Sequence, residues 1–573
     1  MKLRDPIHSI TIERDVPTAM RDGTVLRSAV FRPDVSGTFP VLITRTPYGA
    51  DDEDSEARAK ELAQRGYIAV RQDIRGRHAS EGTFGNCYLG APHKEVEDGY
   101  DAVQWAATLP GSNGRVGTFG ISYDGWTMWP LAASRPPALR AISSGAVANE
   151  PQDYHLSGIW RPACMLMHVS GLSCDLRRRH DEWDGPRTES CFGRLRLDAL
   201  HHWIWTLPFS SLPSEVICAS ARPAMDDFWQ QVATAGCGGP YHENVAVPCQ
   251  HIWGWHDPGI NGYKIFNDMR QGGASEAAQA HQQLIIGPWR HNVMRMDRVE
   301  GEIDFGENAD WSYTESLCRW YDRWLGNGDN DPEAEAESPV RLFVMGIKQW
   351  RNFDSFPLPN ADNHTYYLHS GGSANTPAGD GTLDPRPPAE EPHDQFIYNP
   401  RHPVPSLLSF INQPTPRDQA LLDHRHDILV YESAPLTRDL DIIGHPRATL
   451  FAASSAVDTD FFVKLIDVYP DGKAINICMG VVRARHRAGL DREDLLLPEE
   501  PTRFDIELMP TANRFFAGHR LRVVITSSDF PDFDRNHNTG RNNYTDAELR
   551  TACNTVFHDA NRPSRIDLPV ADL

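Results

Sequence analysis

The stretch "GTFGISYDGW" (117–126) places a serine, Ser122, in the pattern Gly-x-Ser-x-x-Gly. The apolar run "RVGTFGIS" (115–122) is typical of a strand, and "GWTMWPLAASRP" (125–136) is typical of a helix. At a sharp strand-to-helix turn a serine hydroxyl is exposed at the sheet edge, and flanking glycines relieve the crowding. Ser122 is therefore a candidate nucleophile, and an ordinary turn serine is the alternative.

The segments before this stretch alternate between strand-like and helix-like patterns. Apolar runs at 39–49 and 67–77 end in turns, whereas "SEARAKELAQRG" (55–66) and "VEDGYDAVQWAATLP" (96–110) have helical patterns. Such alternation predicts a parallel sheet with helices on both faces.

Two later strand ends supply partners for a serine nucleophile. A serine hydroxyl needs a base that takes its proton, and the base needs a carboxylate that orients it. In α/β-hydrolases these groups follow in the order Ser, Asp, His, each on a loop after a later strand. The runs "HIWGWHD" and "LIIGPWRH" end at Asp257 and His291. His256 is the nearest rival base, but choosing it would leave the second strand end without a role.

The pattern changes twice along the rest of the chain. Residues 146–242 look helical and interrupt the α/β pattern, which predicts a cap over the site. Beyond about 345, short strands separated by turn residues predict an antiparallel jelly roll. The expected fold class is α/β, with an α/β-hydrolase core (1–145 and 243–345), an inserted helical cap (146–242) and a C-terminal all-β jelly-roll domain (346–573).

Composition argues against several kinds of partner. The chain of 573 residues carries a formal net charge of −22, whereas nucleic acids and anionic membranes bind basic surfaces. No apolar run approaches the roughly 18 residues of a membrane helix, and the first residues show no secretory signal. A cytoplasmic protein is therefore expected, and the sequence leaves open whether it forms a homo-oligomer.

No metal ion or other cofactor is expected. The cap stretches "RRRHDEWD" (177–184) and "LHHW" (200–203) contain histidines and carboxylates, but they lack the regular ligand spacing of a metal site. A charged face in contact with solvent is the better interpretation of both.

Seven stretches, taken together, resemble one known family. They are "RTPYG" (45–49), "QDIRGRHASEG" (72–82), "GISYDGW" (120–126), "GWHD" (254–257), "GPWRH" (287–291), "SAPLTRDLDIIG" (433–444) and "SSDFPDFDRNHNTG" (527–540). In this order they are similar to the cocaine esterase and X-prolyl dipeptidyl-peptidase group of serine hydrolases. That group includes α-amino-acid ester hydrolases and glutaryl-cephalosporin acylases. The resemblance implies that the Tyr48 hydroxyl and the backbone N–H of Tyr123 stabilise an oxyanion.

The substrate pocket departs from the relatives in this group. Asp257 is followed by "PGIN" (258–261), without the adjacent carboxylates that hold an ammonium in α-amino-acid ester hydrolases. Gly259 stands where the cocaine esterase branch has an aromatic residue, so a more open acyl pocket is expected. Trp160 in the cap, and Leu407 and Leu408 in the loop 402–413, are candidates to line that pocket. Ordinary packing is the alternative for each.

The sequence thus predicts a cofactor-free serine hydrolase that cleaves small-molecule carboxylic esters through an acyl-enzyme. An acylase, amidase or X-Pro-type dipeptidyl-peptidase with the same triad is the second interpretation. A jelly-roll binding protein with a relic hydrolase core is the non-enzymatic alternative.

Overall fold

Two large β-sheets dominate the structure, which is a computed structural model. It describes residues 6–85, 94–147, 155–156, 158–163, 166, 175, 202–212, 241–257, 259–291, 298–326, 338–375, 378–407 and 416–573.

The first sheet has ten strands and carries the candidate nucleophile. In chain order the strands up to residue 353 are β1 Ile10–Ala19, β2 Val25–Pro33, β3 Phe39–Thr46, β4 Ile68–Asp73, β5 Ser112–Ile121, β6 Leu139–Gly145, β7 His155–Leu156, β8 Ile159–Trp160, β9 Cys249–Gly254, β10 Gln282–Gly287, β11 Val299–Glu300, β12 Ile303–Asp304, β13 Val340–Val344 and β14 Gln349–Phe353. The sheet order is β1-β2-β4-β3-β5-β6-β9-β10-β13-β14, while β7–β8 and β11–β12 form separate two-stranded sheets.

Most of the first sheet is parallel. The strands from β4 to β13 in the sheet order run parallel to one another. Strands β1 and β2 at one edge and β14 at the other are antiparallel additions. Residues of β4 and β9 are buried throughout, as expected for parallel strands covered on both faces. The carboxyl ends of the parallel strands therefore meet at one edge of the sheet.

Helices cover both faces of this sheet, which confirms the predicted layering. The described helices are α1 Glu53–Gln64, α2 Glu95–Ala107, α3 Tyr123–Trp126, α4 Met128–Ala133, α5 Lys264–Gly272, α6 Glu276–Ala280 and α7 Tyr313–Leu325. Buried residues of α1 and α7, such as Leu62 and Leu317, belong to one apolar cluster. Those of α2 and α5, such as Val103 and Phe266, belong to another.

The C-terminal part is an all-β domain, as predicted. Its strands are β15 Asp362–His369, β16 Thr382–Asp384, β17 Asp394–Tyr398, β18 Ile428–Ser433, β19 Leu440–Gly444, β20 Arg447–Ser454, β21 Asp460–Val468, β22 Ala474–Arg483, β23 Thr502–Glu507, β24 Thr511–Phe515, β25 Arg520–Thr526, β26 Ala552–Asp559, β27 Arg562–Pro563 and β28 Arg565–Ala571. They form one fourteen-stranded assembly in which the β16–β18 pair is parallel and the other pairs are antiparallel.

The first sheet extends past the expected end of the core at residue 345. Strand β14 pairs with β13 as a hairpin, so the sheet continues to Phe353. This strand was hard to predict because its residues are exposed or half-buried, so no buried apolar run marks it. The helical segments expected in the cap lie mostly outside the described residues, and the cap residues that are described include the β7–β8 hairpin.

Among the helices in the described ranges, none is both long and apolar enough to cross a membrane.

Candidate active site

Ser122 lies at the junction between β5 and α3 in a strained backbone conformation. Its φ and ψ are 60° and −127°, a combination that residues with a side chain rarely adopt. A Cβ atom at Gly120 would lie 2.5 Å from the backbone carbon of Asp124, and one at Gly125 would lie 2.5 Å from Cγ2 of Val147. The sharp turn therefore requires both glycines. The Ser122 hydroxyl makes no hydrogen bond that caps α3.

Gly120→Ala is expected to displace α3, because the new Cβ would meet backbone atoms of Asp124. Since small displacements at a reacting centre have large effects, kcat is expected to fall by about 10²-fold. Steady-state hydrolysis of a p-nitrophenyl ester measures this. Gly272→Ala is the matched control, since the nearest atom to its Cβ is Cδ2 of His242 at 3.7 Å. A wild-type kcat in Gly120→Ala would show that the close approach of Gly120 to the Asp124 backbone does not shape the site.

The loops that follow β5, β6, β9 and β10 are joined at one edge of the sheet. The backbone N–H of Ser122 donates to the carbonyl oxygen of Gly145 (3.0 Å), and that of Ala146 donates to Ile252 (2.9 Å). The N–H of Trp255 donates to the last residue of β10 (2.9 Å). These bonds place the loops carrying the three predicted triad residues in adjacent positions along this edge.

Asp257 and His291, which follow β9 and β10, contact each other. Nδ1 of His291 lies 3.2 Å from each carboxylate oxygen of Asp257. The Asp257 side chain is 0% exposed and that of His291 is 27% exposed. The N–H of Gly259 also donates to Oδ1 of Asp257 (2.8 Å). A buried carboxylate in this position can fix the tautomer and orientation of a general base.

His256, the rival base, lies in a different environment. Its ring centroid is 6.0 Å from that of Phe305, and burial lowers its pKa to about 4, with a smaller contribution from Arg290. Its Nε2 is buried without a hydrogen-bond partner among the described residues. The Asp257 carboxylate is therefore paired with His291.

Tyr48 lies in the turn after β3, next to Tyr123, the residue that follows Ser122. The Tyr48 side chain is 37% exposed, whereas Tyr123 is fully buried. Their ring centroids are 6.4 Å apart and the rings are inclined at 80°. The structure thus brings together the two residues expected to supply oxyanion donors.

The loop after β4 supports the Tyr48 turn. Nε of Arg77 donates to the carbonyl oxygen of Pro47 (2.8 Å), and Nε2 of His78 lies 3.2 Å from the same oxygen. Oδ2 of Asp175, from the cap, accepts the backbone N–H of His78 (3.0 Å) and lies 3.5 Å from the Arg77 guanidinium. This loop therefore has a supporting role and also connects the turn to the cap.

The sequence interpretation missed Asp124, the second residue after Ser122. Oδ1 of Asp124 is buried and has no hydrogen-bond partner within the described part of the chain. Burial raises the pKa of this carboxyl to about 7, while the charges of Arg71 and Arg58 and the Thr46 hydroxyl act in the opposite direction. The available signal was a carboxylate within the otherwise apolar start of a helix at the nucleophile turn.

Asp124→Asn is expected to gain thermal stability relative to the wild type as the pH rises from 5 to 8. The folded pKa of about 7 lies above the ordinary value of 3.8 for this carboxyl. The stability contributed by the neutral carboxyl is therefore complete below about pH 4 and is lost as the pH rises through about 7. Calorimetric Tm differences at the two pH values measure this, with the exposed Asp304→Asn as control. A Tm difference that does not change with pH would contradict the expectation.

The pocket candidates are distributed over the cap and the β domain. Trp160 is buried, and its carbonyl oxygen accepts the backbone N–H of Asp534 (2.8 Å). Leu407 is half-buried and packs against the apolar cluster that contains Val404. Leu408 lies outside the described residues.

The segment 530–534 of the β domain forms backbone hydrogen bonds with Trp160 and with Ser406, the neighbour of Leu407. The N–H of Ser406 donates to the carbonyl oxygen of Phe530 (2.7 Å), and that of Asp534 donates to Trp160 (2.8 Å). Asp529, directly before this segment, anchors it, because its carboxylate is 2.6 Å from Nζ of the buried Lys464. Backbone bonds to this segment therefore connect the surroundings of both candidates to the β domain.

A cavity of about 50 Å³ adjoins Asp257 where core, cap and β domain meet. Its lining includes His256, Arg161, Asn476, Met479 and Phe533. In the described part of the chain, no group of three or more His, Cys, Asp or Glu side chains is arranged to hold a metal ion.

Comparisons with known proteins agree with this architecture. The X-Pro dipeptidyl-peptidase (S15 family) model matches residues 22–293, and the model of the X-Pro dipeptidyl-peptidase C-terminal non-catalytic domain matches residues 332–567. Cocaine esterase from Rhodococcus sp. (strain MB1 Bresler) is 32% identical, and the alignment covers 98% of each chain.

Two solved structures share the whole fold. An aminopeptidase from a marine sediment archaeon, Thaumarchaeota archaeon, aligns with a TM-score of 0.77 at 24% identity. An α-amino acid ester hydrolase aligns with a TM-score of 0.74 at 22% identity. Each alignment covers 100% of this chain and 98% of the other, which confirms the predicted fold class. With the sequence similarity above, the predicted resemblance is also confirmed, and the chain belongs to the cocaine esterase and X-Pro dipeptidyl-peptidase family of serine hydrolases.

Proposed function

We propose that this chain hydrolyses small carboxylic esters through an acyl-enzyme on Ser122. The observation that carries the proposal is the strained turn at Ser122, on the same sheet edge as the paired Asp257 and His291. Strain at a single turn residue is typical of a functional site. A carboxylate–imidazole pair supplies the base that a serine nucleophile needs.

In the proposed reaction, Oγ of Ser122 attacks the ester carbonyl carbon while His291 takes the hydroxyl proton. Asp257 holds the imidazole and stabilises its positive charge. The Tyr48 hydroxyl and the Tyr123 backbone N–H donate hydrogen bonds to the oxygen that becomes negative.

The tetrahedral intermediate then collapses. The bond to the alcohol oxygen breaks, and His291 gives its proton to the leaving alcohol. A water molecule, deprotonated by His291, attacks the acyl-enzyme, and the carboxylic acid is released as Ser122 recovers its proton.

The proposed substrates are esters whose acyl group is alkyl or aryl. The similarity to a cocaine esterase favours esters over amides, and an amine also leaves less readily than an alcohol. Asp257 is followed by Pro258 and Gly259, so the next residues in sequence offer no carboxylate to bind the ammonium of an amino-acyl group. Trp160 and Leu407 are proposed as apolar surfaces of the pocket, and Gly259 leaves it open.

Hydrolysis of p-nitrophenyl esters from acetate to octanoate, and of the benzoate, tests this function. Matching p-nitroanilides are measured beside them. We expect ester kcat/KM to exceed amide kcat/KM for every acyl group, and the chain-length profile to report the pocket size. Comparable cleavage of amides would favour an acylase or peptidase. Absence of turnover, together with no labelling of Ser122 by a fluorophosphonate, would favour a binding protein.

A further inference from the structure

The residues that follow Asp257 are fixed to it by short-range hydrogen bonds. The backbone N–H of Gly259 donates to Oδ1 of Asp257 (2.8 Å), and that of Ile260 donates to the carbonyl oxygen of the same aspartate (3.0 Å). The N–H of Gly262 donates to Gly259 (2.9 Å). Tyr263 is the last residue of the short 3-10 helix that begins at Ile260. A displacement of Tyr263 therefore reaches Asp257 through one helical turn.

Tyr263 contacts the β domain through its hydroxyl. Tyr263 is 1% exposed, and its hydroxyl lies 2.8 Å from Nε2 of His445, which is in the turn between β19 and β20. Nδ1 of His445 lies 3.0 Å from the carbonyl oxygen of Leu508. Because a carbonyl oxygen only accepts, Nδ1 carries the proton and Nε2 accepts from the tyrosine. Burial lowers the pKa of His445, which favours this neutral ring.

The next residue along the chain makes a second contact with the same part of the β domain. Nζ of Lys264 donates to Oε1 of Glu507 (3.3 Å), and Arg447 donates to the other oxygen of this carboxylate (3.0 Å). All three side chains are exposed, and exposed ion pairs contribute little. The buried bond between Tyr263 and His445 is therefore the stronger link at this contact.

Packing alone does not account for a hydroxyl at this position. The rings of Tyr263 and Phe356 have centroids 5.0 Å apart, and a phenylalanine at 263 would make the same contact. A buried hydroxyl is unfavourable unless it is hydrogen-bonded, and the bond then fixes the relative position of its two groups. The same segment also lies against the loop after β6, since a Cβ atom at Gly262 would lie 2.4 Å from the carbonyl oxygen of Val147.

We propose that Tyr263 and His445 are positioning residues through which the β domain holds the Asp257 carboxylate against Nδ1 of His291. This inference rests on the proposed triad and goes beyond it, because it gives the β domain a part in the chemical step. Both oxygens of Asp257 lie 3.2 Å from Nδ1 of His291. The carboxylate orients the base only through this contact, so a small displacement of Asp257 lowers the rate.

A double-mutant cycle on the whole chain tests this role. Tyr263→Phe is made in the wild-type and Asp257→Asn backgrounds, and p-nitrophenyl ester hydrolysis gives kcat per folded chain, with the folded fraction taken from near-UV circular dichroism. In the wild-type background kcat is expected to fall about 10-fold with KM nearly unchanged. In the Asp257→Asn background it is expected to change less than about twofold, since the carboxylate that Tyr263 positions is already absent.

Two substitutions of His445 form a matched pair. Asparagine places an amide nitrogen near the position of Nδ1 and keeps the donor for Leu508, but it does not reach Tyr263. Glutamine places an amide oxygen near the position of Nε2 and can accept from Tyr263. Each variant loses one buried hydrogen bond, so a structural role alone would lower Tm and kcat alike in both. We expect His445→Asn to lower kcat about 10-fold and His445→Gln to keep at least about half of it.

Tyr431→Phe controls for the loss of a buried tyrosine hydroxyl elsewhere. Tyr431 is fully buried, and its hydroxyl donates to Oδ2 of Asp394 (2.8 Å). Both residues belong to the β domain, so this bond does not join it to the hydrolase core. Tyr431→Phe is therefore expected to lower Tm without lowering kcat per folded chain.

The outcomes distinguish this inference from the proposed function. If Asp257→Asn alone leaves kcat unchanged, the proposed triad fails and the inference fails with it. If Asp257→Asn lowers kcat but Tyr263→Phe does not, or lowers it by the same factor in both backgrounds, only the inference is overturned. Equal kcat in His445→Asn and His445→Gln would overturn it as well. Should Tyr263→Phe not fold, the His445 pair decides.

Discussion

Replacing Ser122 with alanine is expected to lower kcat for a p-nitrophenyl ester by about 10⁶-fold, the effect of removing a serine nucleophile. Alanine keeps the Cβ and removes only the hydroxyl, so the strained turn at φ 60° and the KM are expected to change little. Steady-state kinetics measures the loss of turnover. Mass spectrometry of fluorophosphonate-treated protein is expected to show one label on the wild type, at Ser122, and none there on the variant.

The control for this experiment is Ser373→Ala, which removes an exposed serine of the β domain and should leave both turnover and labelling intact. Equal turnover by wild type and Ser122→Ala would assign the chemistry to another residue. Labelling at a different serine in folded wild-type protein would do the same.

Asp257→Asn is expected to lower kcat by about 10⁴-fold, because an amide in place of the carboxylate favours the wrong tautomer of the base. The Asp257 side chain is fully buried and pairs with Nδ1 of His291 through both oxygens. The isosteric amide preserves the packing, so the effect falls on kcat more than on KM. Ester hydrolysis across a pH series measures it.

Asp304→Asn is the matched control, since the Asp304 carboxylate is exposed and lies 3.7 Å from the Arg298 guanidinium. Wild-type kcat in Asp257→Asn would mean that His291 is oriented by another group. A loss of kcat in both variants would point to a general effect of removing acidic residues.

Much of the site follows from local sequence. Ser122, Asp257 and His291 each follow an apolar strand and precede a break. A parallel sheet brings such strand ends to one edge, so their proximity could be predicted without a structure. The helices around the first sheet were predictable in the same way, from periodicity and end signals.

Other features depend on contacts that no local pattern records. The raised pKa of Asp124 depends on burial, which the charge of Arg71 opposes, and Arg71 comes from a strand distant in sequence. Strand β14 is half-exposed and lies in the sheet only through its hairpin with β13. The roles of Trp160 and Leu407 stay predictions, and Leu408 lies outside the described residues.

The bond between Trp160 and Asp534 has a consequence for biosynthesis. Trp160 leaves the ribosome early, but Asp534 and the segment that holds it are translated only near the end of the chain. During most of translation the cap strand therefore lacks this partner. The contact between the cap strand and the β domain is therefore expected to form late in biosynthesis.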